Sequence, residues 1–316
     1  MRALVFDSKL EFRADHPDPV AAPHESIVRV SRAGICGTDL EIARGYMKFR
    51  GVPGHEFVGV VAETSNASLR GRRVVAEINV GCGRCATCAA DLARHCPDRT
   101  VLGILGRDGA FAEFLSLPDA NLIAVPDSVP DEVAVFVEPV AAAYEILEQI
   151  YLARNRTIVV MGDGRLGALV ALVLRSEKHL PLVAGHHAEK LRRLESLGLD
   201  VVEESRLSGR FDIVIDCSGS GAGFSRAVEL VKPRGTIILK STAADGAEIN
   251  LASVAINEIT VLGSRCGRFE PALNALASGK VDPRPLIDGT FALAGGLAAF
   301  AAAADPLNFK ILLSPM

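Results

Sequence analysis

The sequence predicts an α/β protein in two parts: a compact, barrel-like β-rich domain, then a doubly wound parallel sheet. Three observations carry this. Short segments of alternating hydrophobicity, set off by Gly and Pro, run through residues 1–138. Beyond them, apolar strand-like runs alternate with helix-length segments. A glycine-rich turn, GDGRLG at 162–167, opens the first helix of that alternation.

In order along the chain, SIVRVSRAG (26–34), EFVGVVAE (56–63) and RRVVAEINV (72–80) read as half-buried strands. TIVVMG (157–162) is a buried-strand run, followed by a helical stretch at 165–177. PLVAG (181–185) is a second strand and AEKLRRLESLG (188–198) a second helix. FDIVIDCSG (211–219), a helix over 222–232 and GTIILKS (235–241) continue the pattern, which stops near Gly263. In the tail, GGLAAFAAAAD (295–305) reads as a helix and KILL (310–313) as a strand.

At 316 residues the chain is long enough for two domains. It is 49% hydrophobic and 23% charged with a net charge of -4, which gives no sign of a nucleic-acid or membrane partner. Aromatics are 5% and tryptophan is absent, so a base-stacking platform is not expected. The N-terminus lacks the features of a secretory signal, and no apolar stretch is long enough to span a membrane. A cytoplasmic protein is expected.

Cys82, Cys85, Cys88 and Cys96 follow a C-x2-C-x2-C-x7-C spacing. Such spacing points to four thiolates closing a tetrahedral zinc site, with an iron–sulfur cluster as the alternative. Gly81 and Gly83 supply the backbone freedom of the knuckle.

In GDGRLG, Gly162 is expected to make the tight turn and Gly164 to let the backbone approach a pyrophosphate. Gly167 would allow close helix–strand packing, and Arg165 and Leu166 complete the cofactor loop. The helix N-terminus then faces the phosphates. An NAD site usually carries an acidic residue at the end of the second strand; here Gly185 and His186 stand there. Without that carboxylate a 2′-phosphate meets no repulsion. His186 and His187, helped by Arg192 or Arg193, are placed to donate to it, so NADP is expected over NAD.

A second constellation lies upstream. Cys36 in GICGTDLE, and His55 with Glu56 in GVPGHEFVG, bring together the three zinc ligand types. Glu138, in VFVEPV where the β-rich part ends, is a further candidate.

These motifs, in this order, resemble the zinc-dependent alcohol dehydrogenases of the medium-chain dehydrogenase/reductase superfamily, nearest the sorbitol, glucose and threonine dehydrogenase branch. The resemblance implies a GroES-like catalytic domain at 1–138, to which 266–316 returns, and a Rossmann domain at 139–265. It implies Cys36 and His55 as catalytic zinc ligands, and Glu56 and Glu138 as ligands or residues exchanging with water. Asp39 would orient His55, and Thr38 would begin a proton relay. Cys82, Cys85, Cys88 and Cys96 would hold a structural zinc, and Lys310 would face the pyrophosphate. Where family members often end the relay with histidine, this chain has Glu41. The implied activity is hydride transfer between a small-molecule alcohol (polyol, sugar or secondary alcohol) and NAD(P), in a homodimer or homotetramer. The competing readings are a zinc-free quinone or enoyl reductase on the same fold and a non-catalytic NADP-binding redox sensor.

Overall fold

The computed structural model describes residues 1–240 and 251–315. The chain forms two compact units, Met1–Glu138 with Phe269–Met316, and Pro139–Arg268.

The first unit is built on a seven-stranded sheet. Its central strand, Glu25–Gly34, pairs antiparallel with Glu56–Glu63, Phe114–Pro118 and Lys310–Ser314. Ile287–Ala292 joins the far side, parallel to Lys310–Ser314. Arg73–Ala76 and Leu122–Ala124 extend the side of Glu56–Glu63. Val28 and Val30, and Leu115 and Leu117, are buried at the period-2 spacing of a pleated strand, while Glu56–Glu63 is buried on both faces over its first four residues. The alanine-rich segment forms the helix Gly296–Ala304. It buries Gly296, Ala299, Phe300 and Ala303, one face at i, i+3, i+4, i+7. Phe300 meets Phe111 edge to face at 5.7 Å.

The second unit is a six-stranded sheet, parallel throughout. The strands lie in the order Asp200–Glu203, Pro181–Gly185, Ile158–Met161, Phe211–Asp216, Val231–Leu239, Thr260–Gly263. The strand order reverses direction at Ile158–Met161, which makes the carboxyl end of that strand the topological switch point where doubly wound sheets bind ligands. Val159, Met161, Val214 and Ile237 pack with Phe224 and Leu230 in its core.

Several elements escape the sequence patterns, two of them against a local signal. Val137–Gln149 is a helix despite Pro139, because a proline in the first turn removes no helical hydrogen bond. Ile287–Ala292 is a strand although Asp288 and Gly289 break its alternation; its partner Lys310–Ser314 supplies the ladder.

Candidate active site and cofactor loop

In the first unit, Cys36 sits just before the short helix Gly37–Ile42, and Asp39 folds back over that helix start. The Cys36 N–H donates to Asp39 Oδ2 at 2.8 Å. The other carboxylate oxygen, Oδ1, faces His55 Nδ1 at 3.3 Å, an ion-pair contact short of hydrogen-bond alignment in which neither buried atom has another partner among the described residues. Asp39 is wholly buried and His55 nearly so. One carboxylate therefore fixes both the cysteine backbone and the imidazole ring, and with Nδ1 turned to Asp39, Nε2 is the nitrogen left for a ligand. Burial alone would lower the His55 pKa, but Asp39 and then Cys36 take it well above its ordinary value.

Glu56 opens the Glu56–Glu63 strand beside His55. Its carboxylate lies against Gly34, where a Cβ would come within 2.5 Å of Oε2, so only glycine leaves room for it. One donor atom each from Cys36, His55 and Glu56 lies within 4.8 Å of the others. This thiol–imidazole–carboxylate set fits a zinc ion with an open position. Thr38 Oγ1 lies 3.9 Å from Cys36 Sγ, placing a hydroxyl beside the cluster. Glu138 is partly buried and outside this close set, though near enough to feel it. Burial, with Glu56 adding repulsion, pushes its pKa up to about 7, against the pull of His55 and Lys310. Glu41 is held by Arg44 at 2.6 Å in an exposed pair.

Lys310 differs from its expected place. It is buried, its ammonium donates to Glu56 Oε2, and it lies 5.5 Å from the centroid of the Phe136 ring. A buried carboxylate and a buried ammonium each need a partner, and here each takes the other.

The four clustered cysteines converge as the spacing predicts, with all four sulfurs within 4.8 Å of one another. The Cys82 N–H points to Cys96 Sγ and the Cys88 N–H to Cys85 Sγ, both at 3.4 Å. That backbone bond from Cys88 brings the Cys85 thiol down to about 6, while burial pushes Cys88 up to about 11. A nest of four sulfurs braced by N–H donors fits a closed thiolate metal site.

In the second unit, Gly162 has φ +110° and its carbonyl lies 2.0 Å from where a Gly167 Cβ would be, so both positions require glycine. Gly164 caps the helix Arg165–Ser176, and nothing among the described residues lies within 4 Å of its would-be Cβ. That open backbone at a helix N-terminus fits a pyrophosphate. Arg165 and Leu166 form the first turn. Gly185 ends its strand, His186 is exposed, and His187 begins the helix Ala188–Ser196. Asp163, which motif reasoning passed over, is buried and bonded to His187. No local signal marks it, since the link spans 24 residues.

Two family models match: the alcohol dehydrogenase GroES-like domain over residues 22–127 and the zinc-binding dehydrogenase domain over 166–278. An L-threonine 3-dehydrogenase of Rhizobium etli (strain CIAT 652) is 30% identical over 317 residues, covering 91% of this chain and 90% of its own. Among solved structures, a short chain alcohol dehydrogenase from Escherichia coli CFT073, complexed with NADH, matches with TM-score 0.91 at 26% identity, covering 99% of both chains. A zinc-binding dehydrogenase of Sinorhizobium meliloti 1021, bound to NADP, matches with TM-score 0.88 at 25% identity, again over 99% of both. Motif order, fold and relatives agree, and the chain belongs to the zinc-dependent alcohol dehydrogenases of the medium-chain superfamily.

Proposed function

We propose that this protein interconverts an alcohol, of polyol, sugar or secondary-alcohol type, and its carbonyl, using a nicotinamide dinucleotide. The observation that carries the reading is the Cys36–His55–Glu56 set with Asp39 behind it. Zinc at these residues would supply Lewis acidity, lowering the pKa of the substrate hydroxyl toward neutrality, and the nicotinamide would carry the hydride. Asp39 keeps the His55 ring in one orientation and Cys36 at the helix start. Thr38 takes the hydroxyl proton, or returns it in the reverse direction. Glu41, paired with Arg44 at the surface, does not end the relay; the proton leaves Thr38 through water. Lys310 holds Glu56 beside the site, and Glu138 is a further carboxylate near it.

We further propose two metal ions per chain, the second a structural zinc at Cys82, Cys85, Cys88 and Cys96. The preference for NADP read from the sequence is supported by the exposed His186 and Arg192 and opposed by the Asp163 carboxylate beside Gly185. A cytoplasmic setting is supported by seven free cysteines. Among the described residues, no helix is long and apolar enough to cross a membrane. Assembly into a homodimer or homotetramer is supported by the edge strand Thr260–Gly263 and the exposed Ile256 and Val261.

The test is an oxidation screen of polyols, aldoses, threonine and secondary alcohols with each dinucleotide, repeated on Cys36→Ser. Turnover of one substrate class, lost in the variant, is expected. Full activity of metal-depleted Cys36→Ser would refute the mechanism.

A further inference from the structure

We propose that Asp163 decides which dinucleotide this protein takes. It brings to the end of the Pro181–Gly185 strand the carboxylate that the strand itself lacks, and there favours the free ribose hydroxyls of NAD over the 2′-phosphate of NADP. The proposal rests on the dinucleotide-binding reading above.

The geometry is direct. A Cβ built on Gly185 would lie 2.4 Å from both Asp163 Cβ and Asp163 Oδ2, and 2.5 Å from Cγ. The Asp163 side chain therefore fills the space in which a side chain at 185 would begin. It is only 5% exposed, and His187 pins it there. The His187 N–H donates to Oδ2 at 2.7 Å, and Nδ1 lies 3.1 Å from each carboxylate oxygen. The acid stands at position 163 in the glycine loop, and glycine at 185 leaves room for it.

The consequence follows from charge and hydrogen-bond capacity. A carboxylate offers about four acceptor sites, and His187 does not use them all, so ribose hydroxyls can still donate to it. A 2′-phosphate has no proton to offer a carboxylate and meets its negative charge instead. His187 does not reverse this, because its Nδ1 is turned to Asp163 and only the far nitrogen is left for a phosphate. His186 and Arg192 are exposed, where charge is screened by solvent and salt.

The test is fluorescence titration of NADH and NADPH, without substrate, into wild type, Asp163→Asn, Asp163→Gly, and Asp163→Gly combined with Gly185→Asp. Wild type is expected to bind NADH about tenfold or more tightly than NADPH, and Asp163→Asn to move the ratio about tenfold toward NADPH. The double variant returns the carboxylate to the strand end and should recover the NADH preference that Asp163→Gly loses. An unchanged ratio in Asp163→Asn overturns the proposal. So does a shift toward NADH, which would mean that Asp163 acts by charging His187 for a phosphate. Should a variant fail to fold, an NADPH preference in wild type is itself enough to overturn it. Wild type that binds neither cofactor would overturn the dinucleotide reading and this proposal with it, an outcome distinct from binding without discrimination.

Discussion

Replacing Asp39 by Asn isolates the residue on which the candidate metal site is built. The substitution keeps the shape and removes the charge. In the native chain both carboxylate oxygens face donors: the Cys36 N–H at 2.8 Å and the His55 ring nitrogen at 3.3 Å. An amide has one acceptor oxygen and one NH2, so one of those donors must now face another donor. Asp39 is wholly buried and His55 nearly so, and water does little to relieve the mismatch between them. A buried donor left unsatisfied costs about 1–3 kcal/mol. The metal should feel the same change, since loss of a carboxylate behind a ligating histidine typically lowers affinity or activity about 10- to 100-fold. That range corresponds to about 1.4–2.8 kcal/mol, in line with the cost of the unsatisfied donor. The assay is zinc release to a graded chelator, read with zinc content per chain. Asp39→Asn should release one ion early and keep the one held by the four cysteines, with kcat/KM falling in step. Retention of both ions at wild-type affinity would refute the argument that Asp39 positions His55.

Other outcomes follow from the same geometry. In the zinc-free protein, Lys310→Met leaves the Glu56 carboxylate buried without its partner and should cost about 3–5 kcal/mol in denaturant unfolding. A cost under 1 kcal/mol would mean that Glu56 finds another donor. Cys96→Ser should remove one zinc and lower the stability of the first unit while Cys36 and His55 still bind the other, as metal counting would show. Asp212 accepts bonds from the Thr157 N–H and hydroxyl and from Lys232. Burial alone would raise its pKa, but Thr157, Lys232 and Arg156 together take it well below the usual carboxylate range. With the folded pKa depressed, its stabilisation is complete above the unfolded value of about 3.9 and is lost as pH falls toward the folded one. Asp212→Asn should therefore cost about 1–2 kcal/mol at pH 7, with the gap from wild type closing under acid in urea titrations.

The elements legible in the sequence are those whose physics is local. Strands at 26–34 and 56–63 and the strand–helix alternation from 157 onward appear where the patterns place them, because short β-branched runs between turn residues record local preference. The four-cysteine nest is legible for the same reason: its ligands lie within fifteen positions. Cys36 and His55 are legible only as a motif set, since neither spacing nor composition joins them. What escaped depends on distant partners. Nothing near Lys310 announces a carboxylate 254 positions away, and a resemblance-based role directed it elsewhere. Asp163 was hidden by its own motif, in which the residue between the first two glycines is read as free to vary.

The first unit is assembled from two stretches of chain, and this sets the order in which the protein can be made. Its central strand pairs Gly34 with Leu312 and Ala33 with Leu313, so the sheet is not complete until those two positions, some 280 residues downstream, have been synthesised. At about 5–20 residues per second, the wait between its two parts is on the order of ten seconds or more. During that time Glu56 has no lysine beside it, and one edge of Glu25–Gly34 lacks its neighbour. The strands and helices of Pro139–Arg268 are contiguous in sequence and need no such wait. The half with the parallel sheet should therefore be the first to fold on the ribosome, and the half that carries the proposed metal ligands the last to close.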